Sequence, residues 1–75
     1  MSLQYTNVIE LVIRDNEAIA LIQRISGRNN ADRYNVCYNP YSCPCYCGPF
    51  KTLEEAETTV MKHRPGAIFH PNDES

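Results

Sequence analysis

Apolar positions fall into blocks separated by polar punctuation. From Val8 to Ile13 the chain reads VIELVI, five of six residues apolar and four β-branched. That composition predicts a strand buried on both faces. Arg14, Asp15, Asn16 and Glu17 supply a polar turn. Ala18 to Ile25, AIALIQRI, is a second apolar block, and SGRNNAD (26–32) is a Gly- and Asn-rich loop. RYNVCY (33–38) alternates in the manner of a third strand. After Asn39-Pro40 the alternation resumes over 41–47. Tyr41, Cys43, Cys45 and Cys47 point one way, and Pro44 marks an edge or irregular strand. Gly48-Pro49 is expected to end it.

Thr52-Leu53-Glu54-Glu55 fits a capping box, and the acids suit the positive end of a helix dipole. A helix over 52–63 follows, with Leu53, Ala56, Val60 and Met61 on its buried stripe. Lys62, His63 and Arg64 suit its negative end, and Pro65-Gly66 stops it. Ala67-Ile68-Phe69 reads as a last short strand. The predicted fold is α+β, a small antiparallel sheet in the order β-β-β-β-α-β with the C-terminal helix packed on one face. The alternative makes 8–25 one long N-terminal helix, since Val8, Leu11, Val12, Ala18, Ile19, Ile22 and Ile25 also share a helical face, followed by β-β-α-β. Its other face would expose Ile9, Ile13 and Leu21.

Seventy-five residues make a single small domain, with 1–6 and 71–75 expected to fray. A chain this short buries only about 60% of its unfolded surface. It has little room for a deep cleft. The formal charge is −2, from 7 basic and 9 acidic residues, which disfavours a dedicated nucleic-acid binder. No apolar run approaches the roughly 20 residues of a membrane span, and the N-terminus lacks a signal-peptide pattern. The chain reads as cytoplasmic, where thiols stay reduced.

Four cysteines, Cys37, Cys43, Cys45 and Cys47, then need an account. Zinc knuckles use two intervening residues, and that spacing is absent. Alternate side chains of a strand lie roughly 6.5–7 Å apart, too far for three to share one ion without kinks. The cysteines read first as small apolar fillers of a strand face. A zinc-stabilised module using all four is an alternative. So is a bridge from Cys37 to one of the others. Cys47, close to the helix start and Lys51, is the best candidate for a reactive thiol. His63 suits a surface position in the last helical turn, and His70 lies in the terminal segment. No nucleophile–base grouping has a recognisable spacing, so no enzyme activity is expected.

Two further sets remain. Arg24, Arg28 and Arg33 surround the polar loop and could contact phosphate as an alternative nucleic-acid site. Tyr34, Tyr38, Tyr41, Tyr46 and Phe50 fall within 17 residues. Aromatics bury much area at low entropic cost, and a domain this small cannot hide all of them. The expected function is therefore a non-catalytic protein-interaction or regulatory module that binds another protein through this aromatic set. A homodimer is compatible with its size, and no membrane partner or cofactor is expected.

At Cys45, Tyr46, Gly48, Pro49, Phe50, Thr52, Glu55 and Ala56 the chain resembles a small uncharacterised cyanobacterial-type domain family. In that family a strand with Cys and aromatics leads through Gly-Pro-Phe and a Ser or Thr cap into a helix opening with Glu-Ala. The resemblance covers about 15 of 75 residues. It implies a small α+β domain and brings no catalytic residue with it. This chain departs from the family in its first 30 residues and its extra cysteines.

Overall fold

The first third of the chain is a hairpin. β1 (Val8–Arg14) and β2 (Glu17–Ser26) pair antiparallel, with Arg14 opposite Glu17. Asp15 and Asn16 form the two-residue connection at φ 53° and 64°. Left-handed conformation at both central positions is the hairpin turn whose twist matches that of the strands, and Asp and Asn tolerate it best among non-glycine residues. The long-helix alternative fails here, because the turn and the β-branched residues both favour extended chain. The computed structural model describes residues 7–27, 29 and 31–72; of the segments expected to fray, 1–6 and 71–75, all of the first and 73–75 of the second lie outside these.

β3 (Asp32–Tyr38) and β4 (Cys45–Phe50) continue the meander. Helix α1 (Leu53–His63) then returns the chain across the sheet to β5 (Ile68–Pro71). The five-stranded sheet has the order β4-β3-β2-β1-β5 with every neighbouring pair antiparallel. β4 and β5 are thus opposite edges running in the same direction, linked by the helix. Asn72 extends the β5 contact by donating its backbone N–H to the Ile9 carbonyl at 2.9 Å and its side-chain amide to the Val8 carbonyl at 3.0 Å.

The register sorts side chains into rows. Cys45, Tyr38, Ala20, Val12 and Phe69 follow one another across all five strands on the helix side. The next row, Tyr46, Cys37, Leu21, Leu11 and His70, points to the opposite face, because side chains alternate along every strand. One-residue register slips at Ile9 and Ile19 turn both of these side chains toward the helix side, where they pack on the core. The core comprises Val12, Ala20, Ile22, Val36, Tyr38, Ala56, Val60 and Ala67.

Three local expectations are revised. β1 is half-buried, with only Val12 enclosed, because the helix covers one face of the sheet; the central strand β2 is the more buried one. β4 starts at Cys45 and runs through Gly48 and Pro49, so Tyr41 and Cys43 lie in the preceding turn. An edge strand tolerates Pro, and Gly48 adopts φ 131° where the register with β3 is shifted between Tyr34 and Val36. Pro71 belongs to β5 and not to a frayed tail.

The helix begins as its capping box requires. Thr52 is extended (φ −130°, ψ 156°) and its Oγ1 accepts from the Glu55 N–H at 3.1 Å. Ala56 and Val60 are fully buried and Leu53 is half-buried, whereas Met61 is 44% exposed. Met61 lies one position past Val60, which turns it about 100° away from the sheet.

Candidate functional site

The aromatic set divides by register. Tyr38 is buried, and Tyr34 and Phe50 pack partly buried against the core, all three on the helix side. Tyr41 and Tyr46 are 63% and 56% exposed. Tyr41 sits on the turn between β3 and β4, and Tyr46 projects from the helix-free face of β4. The sheet separates Tyr46 from the three core aromatics, so the five do not form one patch.

What is continuous is the exposed run 41–46, Tyr-Ser-Cys-Pro-Cys-Tyr. Its base is fixed. The Asn39 N–H donates to the Ile19 carbonyl at 2.9 Å, the Ser42 N–H donates to the Asn39 carbonyl at 3.1 Å, and Pro40 is buried. Asn39 adopts φ 54°, which aims the chain out of the sheet. Beside Tyr41 lies an open cleft of about 330 Å³, walled by Glu17 and Ile19 of β2 and by Pro40.

A polar group meets the end of the helix beneath this run. The Tyr38 hydroxyl lies 3.3 Å from His63 Nδ1, with ring centroids 6.1 Å apart. The Arg64 guanidinium carbon stands 4.9 Å from the Tyr38 ring centroid, within cation–π range. Burial pushes the Tyr38 phenol above its ordinary value of 10, with Cys47 and Cys45 adding to the shift and Arg64 opposing it. Sequence reasoning assigned His63 to the surface. It is exposed, but one ring nitrogen engages a core tyrosine 25 residues earlier.

A second polar contact joins the sheet to the helix. Glu10 of β1 shares a hydrogen bond with Glu57 of α1. Burial, then that bond, then the Glu57 charge push the Glu10 carboxyl up to about 7, and its Oε1 is enclosed without a partner. The signal in the sequence was a lone acid inside the apolar block VIELVI.

The cysteines separate as well. Cys37 is fully buried on the helix-free face, whereas Cys45 and half-buried Cys47 lie on the helix side and Cys43 is exposed on the turn. All four are free thiols. The shared face expected for Cys43, Cys45 and Cys47 holds for the last two alone, since Cys43 precedes the strand. Cys37 and Cys45 are on opposite sides of the sheet, so the four sulfurs do not surround one point. Among the described residues no three His, Cys, Asp or Glu side chains converge as a metal-binding group.

Of the arginines, Arg24 pairs with Tyr34 and Arg33 with Ile25, which directs them to opposite faces. Arg33 donates to the Asp32 carbonyl at 3.0 Å, and Arg28 lies outside the described residues. No described helix is long and apolar enough to cross a membrane. Comparison with known protein families, with curated proteins and with solved structures finds no match to this chain.

Proposed function

We propose that this chain is a non-catalytic protein-interaction module that contacts another protein through the exposed run 41–46. The observation that carries the reading is the exposure of Tyr41 and Tyr46, two large aromatics left in solvent by a domain that buries Tyr38 and packs Tyr34 and Phe50 into its core. Exposed aromatics on an anchored turn bind at low entropic cost, because the backbone is already fixed and each ring has two rotatable bonds. The cleft beside Tyr41 gives a partner's side chain a place to seat, so the tyrosine can act as one wall of a pocket.

The test is affinity capture by the purified chain from lysate of the source cells, comparing the wild-type chain with a Tyr41→Ala/Tyr46→Ala double variant. Both positions are exposed, so the variant keeps the wild-type circular dichroism spectrum. A defined protein partner is expected with the wild type. In pull-downs its recovery should fall at least about tenfold with the double variant, the loss of roughly 1.4 kcal/mol. Equal recovery by both chains, or no partner at all, overturns the reading.

A further inference from the structure

The cleft beside Tyr41 lies between the start of β2 and the turn that follows β3. Glu17 and Ile19 stand on one wall, and Asn39, Pro40, Tyr41 and Ser42 on the other. The bond from the Asn39 N–H to the Ile19 carbonyl, 2.9 Å, ties the two walls together, so the cleft has its shape before any partner arrives. At about 330 Å³ it is at the small end for a ligand pocket, the scale of one inserted side chain. Its apolar part is half-buried Ile19, which packs on the core, and buried Pro40. Its rim is polar and open: Glu17, Asn39 and Ser42 are exposed beside the Tyr41 ring.

We infer that this cleft receives an arginine side chain of the protein partner. The inference rests on the reading of the chain as a protein-binding module and names the chemistry of the group it takes. A carboxylate, an exposed aromatic ring and an apolar floor within one cleft are the three things a guanidinium side chain uses. Its plane stacks on a tyrosine ring, its N–H fork donates to a carboxylate, and its stem covers apolar surface. Here Tyr41, Glu17 and the Ile19–Pro40 floor supply them in that order. The Asn39 and Ser42 side-chain oxygens offer acceptors for the remaining donors. An apolar side chain would take Glu17 out of water with nothing to replace its hydration. An acidic one would meet a like charge. A lysine ammonium is more strongly hydrated and has no plane to stack.

The chain's own charges leave this place open. Arg14 is the cation opposite Glu17 in the hairpin, but its guanidinium donates to the Pro65 carbonyl at 3.4 Å, and Pro65 is not part of the cleft wall. A second cleft also combines an aromatic with acids, Phe50 with Glu54 and Glu55. Those two carboxylates sit in the first turn of α1, where the positive end of the helix dipole already engages them. Phe50, moreover, packs on the core, whereas Tyr41 is 63% exposed. The net charge of −2 favours approach of a basic segment.

Titration of the full chain with the capped peptide acetyl-Gly-Arg-Gly-amide, followed by amide NMR shifts, tests this. Saturable shifts are expected at Glu17, Ala18, Ile19, Asn39, Tyr41 and Ser42, with a dissociation constant on the order of a few millimolar for one side chain at an open site. Glu17→Gln and Tyr41→Ala change exposed positions, so both fold, and each should weaken binding at least about threefold. Glu54→Gln, in the other cleft, should leave it unchanged. The same peptide with citrulline, a neutral group of nearly the same shape, should give no saturable shift. An equal response to the citrulline or the lysine peptide overturns the inference. So does the absence of saturation by about 50 mM, a concentration well above the expected constant, or a constant that ignores Glu17→Gln. The capture comparison with the double tyrosine variant is read separately. Equal recovery there removes the interaction reading, whereas failure of the arginine peptide with recovery still lost removes the arginine alone.

Discussion

Glu10 and Glu57 face each other between sheet and helix and share one hydrogen bond, which requires a proton on one of the two carboxyls. Glu10 holds its proton up to about pH 7, against an ordinary 4.5, with burial the largest cause. Between these values the folded chain binds a proton that the unfolded chain releases. Stability from this pair is therefore fully present below about pH 4.5 and is lost as pH rises through 7. Thermal unfolding should show the melting temperature falling from pH 5 to pH 8 at constant ionic strength. Glu10→Gln keeps a neutral group of the same shape. It should flatten that slope and exceed the wild type at pH 8 by about 1 kcal/mol, a figure reduced for partial solvent exposure.

Gly48→Ala should destabilise the chain by about 2 kcal/mol or more in urea titration. The backbone stands at φ 131°, and a Cβ there would lie 2.7 Å from Asn35 Oδ1 and 3.0 Å from the Tyr34 carbonyl oxygen. The second contact is with backbone of the paired strand, which cannot rotate away. Strain at the dihedral adds to the clash.

Asn16→Gly should stabilise by about 0.5 kcal/mol. Asn16 occupies the second central position of the β1–β2 turn at φ 64°, where glycine carries no Cβ penalty and Asp-Gly is the favoured pair. Differential scanning calorimetry resolves the rise of a few degrees expected for a domain of this size.

Tyr38→Phe should cost about 1 kcal/mol, the ordinary worth of a part-buried hydrogen bond, by removing the hydroxyl that meets His63. Spectrophotometric titration supplies a signature that simple loss of stability does not. Tyr38 and Tyr46 both ionise above the usual phenol range, and the variant should lose one of these two late components.

Local chemistry made most of the fold legible. The β-branched block before Asp15-Asn16 and the Thr52 capping box act through residues close in sequence, and both elements form where their patterns place them. β4 was harder. Pro44 and Gly48-Pro49 carry the usual marks of a break; the strand begins only after Pro44, but on an edge strand the missing N–H of Pro49 is tolerated, so it continues through Gly48-Pro49. The site was legible only in part. That some tyrosines would stay in solvent followed from size, but which ones depended on register: Tyr38 and Tyr46 both belong to aromatic-rich strands and emerge on opposite faces. The contacts of Tyr38 with His63 and of Glu10 with Glu57 join residues 25 and 47 positions apart, and no local pattern encodes such pairs.

The crossover from β4 to β5 also fixes an order of assembly. β1 through β4 pair with their neighbours in sequence and close short loops, whereas Ile13 meets Ile68 only after 55 further residues have been made. Closing that long loop is the slow entropic step. During synthesis the outer rim of β1 therefore waits, unpaired, until β5 leaves the ribosome. Deletion of β5, Ile68–Pro71, would leave it that way permanently.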